Sequence, residues 1–388
     1  MKMGRGVRKS TCAVGGNVDM MDALRLVVVM LAALAWTACA QGEELMALEE
    51  IEKGLESAPP HLGDNADREE YYRALDEWAL APDTIYWDGK EETANPDLLA
   101  YYLRRMNKAL EEAETTEVKA GATVWKLYSS GFLVKTAECV FAVDAVEGPF
   151  KDIDGSPEDA AEFKFKWTEG MRKRFAELVD VLFITHWHYD HASFALAKEM
   201  IEAGKVVVVP QQLKEHWQRN EFASKLTVLE PDEDQDVGTL TVRIFDGVQY
   251  MRNDEAGNWV SVPKYDAQNN VYLIRTREGI TFLHHGDNRG KHFAGWLEEA
   301  AAEGWNVDMW FVPIHWPKSM IPDVEKIVQP ILVPCHEYEF GHKPTHGVIT
   351  IMPHYKGSFR RFFEKGRAAR LTWGEKFHVG ASAGSELP

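Results

Sequence analysis

The stretch Val181-Leu182-Phe183-Ile184-Thr185-His186-Trp187-His188-Tyr189-Asp190-His191 decides the reading of this chain. Its first four residues are apolar, as in a short buried strand. Four candidate metal ligands then fall within six positions. His186 and His188 are two apart, so on extended backbone they share a side and can grip one cation. Asp190 and His191 follow where the chain turns toward its next helix, and can reach a second cation nearby. Imidazole with carboxylate suits zinc, and also manganese or iron. The bland alternative is a polar loop with incidental histidines. The strand before and the helix after, Ser193 to Glu202 closed by Gly204, argue against it.

Working outward, short β-rich runs dominate from about residue 122. They are Val124–Tyr128, Phe132–Lys135, Val140–Val143, Val206–Val209, Leu240–Phe245, Val271–Arg275, Ile280–Leu283, Met309–Val312 and Ile331–Val333. Helical stretches sit between several of them, for example Phe293 to Glu303 closed by Gly304. Strands that alternate with helices, together with runs of adjacent strands, predict an α/β sandwich with sheets inside and helices outside.

Residues 41–120 read as a helical N-terminal region ahead of a domain spanning 121–388. Asn95-Pro96 is a helix start, because Asn caps and Pro tolerates the first turn. Leu99, Leu103, Met106 and Leu110 then recur near helical spacing, and an earlier helix carries Tyr71, Leu75 and Trp78 on one face. Pro59-Pro60 and Pro82-Asp83 break the segments. The expected role is packing against the main domain, with a lid or a dimer contact as the sharper alternative.

Residues 1–40 read as an export leader. Lys2, Arg5, Arg8 and Lys9 precede an apolar run from Leu24 to Trp36, and Ala38-Cys39-Ala40 resembles a small-residue cleavage site. Met20 and Met21 are alternative starts. The run is too short for a spanning helix. Thr37-Ala38-Cys39 also resembles the lipid-attachment box of bacterial lipoproteins, although Trp36 stands where that box has an aliphatic residue. Plain secretion to the periplasm or beyond and membrane attachment through a lipidated Cys39 are the two readings.

The formal net charge of -18 repels phosphate backbones, so nucleic acid is not an expected partner. A small molecule is. Four cysteines, at 12, 39, 139 and 335, make no disulfide framework, and Cys139 and Cys335 are expected as buried thiols. The sequence leaves the oligomeric state open.

The strand-plus-ligand pattern recurs. Phe141-Ala142-Val143-Asp144 is a strand ending in Asp, His285-Gly286-Asp287 follows another strand, and Val333-Pro334-Cys335-His336 ends a third. In this order, with residues 186–191, these segments resemble the motifs of the metallo-β-lactamase superfamily of hydrolases over about residues 122–378. The Pro-x-His ending with Tyr338 and Phe340 is similar to the ascorbate-phosphate lactonase-like branch. The resemblance implies a four-layer αββα sandwich with the helical region as an N-terminal extension. It further implies that His186 and His188 hold a first metal, that Asp190, His191 and His336 hold a second, and that Asp287 bridges them. Asp144 would accept a hydrogen bond that orients a ligand histidine.

One departure stands out. The family usually supplies a third histidine to the first metal, from a strand that corresponds here to Leu240–Met251. That stretch holds none, and Gln249 is the candidate for the place. Of the neighbours His284 and His285 at most one faces the site. The first metal therefore uses another ligand, binds weakly, or is absent, so the cofactor is one or two zinc ions, with manganese or iron as alternatives. Trp187, Tyr189, His285 and His315 are candidate pocket residues, and Lys318 is a candidate for attracting an anionic group.

The expected activity is hydrolysis of a lactone, ester or amide of a small molecule by metal-activated hydroxide, with Asp190 also moving the proton. The alternatives are a phosphodiesterase and a non-catalytic metal-binding protein with an incomplete first site. An iron oxidoreductase is a further class, but its relatives carry a flavin domain that this chain has no room for.

Overall fold

A computed structural model describes residues 45–81, 85–87, 92–149, 165–249, 251–253, 259–261, 267–289, 292–314, 321–340, 348–357 and 359–380. The leader, with Cys39, and His315 to Lys318 lie outside the described residues, as do Pro82 and Asp83. Along the chain the first strands are β1 (Ile85–Trp87), β2 (Glu92–Ala94), β3 (Ala122–Lys126), β4 (Phe132–Lys135), β5 (Val140–Val143), β6 (Val181–Phe183) and β7 (Val206–Val208). There follow β8 (Gln235–Val237), β9 (Leu240–Val248), β10 (Met251–Asn253), β11 (Trp259–Ser261), β12 (Gln268–Arg275) and β13 (Thr281–His284). The last are β14 (Met309–Pro313), β15 (Ile331–Cys335) and β16 (Lys376–Val379).

Two six-stranded sheets form the centre, ordered β16-β3-β4-β5-β6-β7 and β15-β14-β13-β12-β9-β8. In the first sheet β5, β6 and β7 run parallel and the rest antiparallel. In the second β13, β14 and β15 run parallel and the rest antiparallel. The pairs β1–β2 and β10–β11 stand apart as small antiparallel ribbons.

The strands β3, β5, β6, β13, β14 and β15 are buried on both faces, so they read as continuous apolar runs rather than alternating ones. Phe141 and Val143 of β5 join a core that includes Phe183, Tyr272, Phe282 and Phe311, drawn from both sheets. Ala142 between them points the other way, into a second core shared with the helices. Phe132 stacks on Phe311 with ring centroids 4.0 Å apart, and Phe141 meets Phe282 edge-on at 5.6 Å. Such aromatic pairs contribute ~0.5–1.5 kcal/mol each beyond their buried area. The result is the expected four-layer αββα sandwich.

The helices Leu48–Ser57, Glu69–Leu80 and Pro96–Thr115 share the outer core with Trp125, Leu127 and Leu133 of the first sheet's side. Asn95 caps the third of them, its side chain accepting from Asp97 N at 3.0 Å and Leu98 N at 3.3 Å. The buried faces differ from the sequence expectation by about one residue. Leu75, Met106 and Leu110 are buried as expected and Tyr71, Trp78, Leu99 and Leu103 are half-buried against the core, while Tyr72, Ala74, Asp76, Ala79, Leu98, Tyr101 and Tyr102 are buried beside them. The buried polar residues Asp76 and Arg105 lie on these faces as well, and an apolar count does not see them. Cys139 and Cys335 are free and buried. Among the described residues no helix is long and apolar enough to cross a membrane.

Candidate metal centre

Four segments deliver the site, each leaving the C-terminal end of a strand, the edge where open α/β sheets place their chemistry. Asp144 follows β5, Thr185–His191 follow β6, His285–Asp287 follow β13, and His336 follows β15. The segment after β6 is fixed from the opposite sheet. Tyr272 Oη donates to the Ile184 carbonyl at 2.7 Å, and Asn270 N donates to the Thr185 carbonyl at 2.9 Å. The chain then turns, with His191 N and Ala192 N both bonded to the His188 carbonyl. Ser193 caps the next helix, Phe194–Glu202, and Gly204 (φ 76°) closes it.

Asp144 is the hub beneath the ligands. It is fully buried, and its carboxylate accepts four bonds. Thr185 N donates to Oδ1 at 2.7 Å, and Thr185 Oγ1 to Oδ2 at 2.7 Å. Two imidazoles meet Oδ2 as well, His191 through Nδ1 at 2.7 Å and His284 through Nε2 at 2.6 Å. Burial works against the charge on Asp144, but His284 and His191 prevail and hold its carboxyl well below the usual carboxylate range. With its Nδ1 proton committed to Asp144, His191 is left with Nε2 as its only lone pair.

That nitrogen faces other donors. Asp190 Oδ2 lies 3.4 Å from His191 Nε2 and 3.1 Å from His336 Nε2. Asp287 Oδ1 lies 3.6 Å from His191 Nε2 and 3.5 Å from His336 Nε2. Ligands about 2.1 Å from one tetrahedral cation stand roughly 3.4 Å from each other, so these separations fit a shared ion. Buried Nε2 atoms of His186 and His191 and both oxygens of Asp190 make no hydrogen bond of good geometry among the described residues. Buried polar atoms are normally satisfied, and a convergent set that is not fits a metal. Burial, helped by His191 and His188, holds the His186 imidazole well below its ordinary pKa, which keeps it a neutral donor.

The donors fall into two overlapping groups, Asp190 with His191 and His336, and His186 with His191 and Asp287. His188 belongs to neither. It is half-buried, its ring edge-on to His186 at 4.7 Å and to Trp187 at 5.0 Å. Trp187 and Tyr189 are half-buried beside it, and Trp187 also lies 5.7 Å from the His216 ring. His285 does not line a pocket with the ligands. It turns to the outer face of its sheet, against Phe293 at 4.9 Å and Trp310 at 6.2 Å, while His284 faces Asp144. Neighbours on a strand point opposite ways, and the pair obeys that rule with the roles reversed from the expected ones.

Sequence reasoning missed the supports. Thr185 and His284 complete the Asp144 hub. Asn269 accepts from Asp287 N at 2.9 Å and donates to the His285 carbonyl at 3.2 Å, fixing the Asp287 turn. Between them sits Gly286 (φ 52°), where a Cβ would meet Asn269 Oδ1 and Thr185 Cβ and Oγ1 at 2.7 Å. His284 had a visible signal, its place beside a motif; Asn269 had none.

The His336 loop is held under tension. Ser129 (φ 48°), Asp144 (φ 43°), His336 (φ 77°) and Tyr338 (φ 54°) adopt the left-handed region without being glycine. His336 N bonds the Ser129 carbonyl at 3.1 Å. The fully buried Lys126 donates to that same carbonyl and lies 3.5 Å from Glu337 Oε1, so the loop is pinned from β3.

No protein-family model matches the sequence, and no curated protein matches it. Solved structures do. One is "a possible metal-dependent hydrolase" from Veillonella parvula, with TM-score 0.50 and 11% identity over 67% of this chain and 100% of that one. An isothiocyanate hydrolase from Delia radicum gut bacteria gives TM-score 0.48 and 16% identity over 66% of this chain and 100% of that one. The metallo-beta-lactamase fold protein YhfI from Bacillus subtilis gives TM-score 0.42 and 12% identity over 67% and 100%. Two six-stranded sheets flanked by helices are the fold this chain shares with the Veillonella protein. The ligand-bearing segments of this chain leave the ends of strands in both sheets, and His191, Asp287 and His336 meet there.

Proposed function

We propose that this protein is a metal-dependent hydrolase acting on a lactone, ester or amide of a small molecule. The observation that carries the reading is that Asp190 Oδ2 and Asp287 Oδ1 each lie 3.1–3.6 Å from Nε2 of both His191 and His336, with His191 oriented by Asp144. Two carboxylates and two imidazoles brought together in a buried site offer the oxygen and nitrogen donors that suit zinc. A bound zinc ion lowers the pKa of a water it holds toward about 7, supplying hydroxide at neutral pH.

The chain's own residues then have distinct work. With an ion bound, His191 and His336 would each present a neutral Nε2 to it. Asp287 supplies Oδ1 as charge and anchor. Asp190 Oδ2 lies against both imidazoles, which leaves Oδ1 to accept a proton from the attacking water and return it to the leaving group. Trp187 and Tyr189, half-buried beside the ligands, suit a rim that covers an apolar substrate. The likeness to the Veillonella protein, a possible metal-dependent hydrolase, supports the reaction class.

The test is metal analysis of purified protein beside a hydrolysis screen of lactones, esters, amides, β-lactams and phosphodiesters. Zinc-dependent turnover of a carboxylic substrate, lost in His336→Ala, is expected. Turnover that survives complete metal removal would sink the reading.

A further inference from the structure

We propose that the centre holds one tightly bound cation, on Asp190, His191, His336 and Asp287, and that Gln249 is the residue that makes it so. The inference rests on the metal-site reading above and adds its stoichiometry.

The two donor groups share His191. Its Nδ1 is taken by Asp144 at 2.7 Å, so a single Nε2 lone pair remains, and one lone pair serves one cation. Asp190 Oδ2 and Asp287 Oδ1 lie 3.4 and 3.6 Å from that nitrogen and 3.1 and 3.5 Å from His336 Nε2, a set rich enough to close a site. The rival position then has His186 and whatever Asp287 can still offer.

Asp287 has little left to offer. Gln249 is 4% exposed, and its side-chain Nε2 donates to Asp287 Oδ2 at 2.8 Å. The bond ties down the one oxygen that would have to reach across to a second cation. Gln249 Oε1 is buried with no hydrogen-bond partner among the described residues. A neutral amide oxygen is a weak ligand for zinc beside imidazole and carboxylate. His188 is half-buried and stands in neither group among the described residues. Gln249 therefore caps Asp287, and the site is lopsided by construction.

Zinc binding to the full chain tests this. Chelator-stripped protein is titrated with zinc against a chromophoric competitor, and zinc per chain is counted after gel filtration. The wild type is expected to keep one equivalent, with any second at least ~100-fold weaker, the upper end of what a lost supporting contact does to metal affinity. Gln249→His, which puts imidazole in that place and releases Asp287 Oδ2, is expected to keep two. Gln249→Ser, which removes the cap with little else, is expected to tighten the second equivalent without changing the first. Two equally tight zinc ions in the wild type overturn this proposal and leave the metal-site reading standing. A folded Gln249→His that still keeps one ion overturns it too. A wild type that binds no zinc overturns both. Should Gln249→His not fold, the wild-type count and Gln249→Ser decide the matter.

Discussion

Tyr338 Oη donates to Asp76 Oδ1 at 2.7 Å, joining the helix Glu69–Leu80 to the loop that carries His336. The other contacts of that carboxylate are Ile351 N on Oδ1 at 2.9 Å and Met352 N on Oδ2 at 2.8 Å. One buried side chain of the N-terminal region thus holds two segments of the sandwich, one of them two residues from a candidate ligand. The helical layer is part of the site's support.

Asp76→Ala would leave those buried donors unanswered, at about 1–3 kcal/mol for each left unsatisfied. Burial, partly offset by the bonds from Tyr338, Met352 and Ile351, raises the Asp76 carboxyl above its ordinary range. The folded state then binds this proton more tightly than the unfolded chain does. The protonation part of its contribution is fully present below the ordinary value of about 3.9 and is lost as pH rises through the raised value. The stability gap between wild type and Asp76→Ala should therefore be wider at pH 4.5 than at pH 7. Denaturant unfolding at both values checks this, and a gap that widens with pH contradicts it.

Asp144→Asn should weaken zinc binding by about 10–100-fold, the usual effect of removing the partner that orients a ligand histidine. Asp144 receives only donors, from Thr185, His191 and His284. An amide must turn its own N–H₂ against one of them. Competitive zinc titration reads the loss, and unchanged affinity in a folded variant rules the orienting role out.

Gly286→Ala should cost about 1–3 kcal/mol from overpacking, before any strain at its φ of 52° is added. The new methyl has to push back both Thr185 and Asn269, which carry the Asp144 hub and the Asp287 turn. A thermal melt shows the first effect and zinc titration the second. A variant with wild-type stability and affinity would mean that the approach is looser than 2.7 Å.

Zinc should also stabilise the fold. The donors come from both sheets, His191 after β6 and Asp287 and His336 after β13 and β15. An ion held only by the folded chain adds about 2.7 kcal/mol when its free concentration is 100 times its Kd. Calorimetry with graded zinc should show Tm rising with concentration, and a flat response would argue against a site spanning the two sheets.

The sequence displays strand ends followed by ligands because buried parallel strands read as apolar runs and histidine clusters are rare. It thus displayed the sandwich and placed Asp144, His191, Asp287 and His336 within reach of one another. It hid elements that lack that contrast. The edge strands β8 and β16, Gln235–Val237 and Lys376–Val379, are half polar and look like loops. The ribbon β1–β2 interrupts a region read as helical. It hid Asn269, and it gave Gln249 a place but not its partner, since an amide acquires meaning only from what stands opposite it, and Asp287 is 18 residues from the first and 38 from the second.

Ser129, Asp144, His336 and Tyr338 share one further property, the backbone shape that only glycine takes without resistance. Each such residue sets the native state back by roughly 1–3 kcal/mol. A chain shaped by durability alone would relax there first. Ser129→Gly offers that relief with no ligand lost, whereas relief at His336 removes the imidazole itself. The two positions are joined by one hydrogen bond, yet one is open to adjustment and the other is not, and that asymmetry marks how far this protein can be made sturdier before it stops holding its ion.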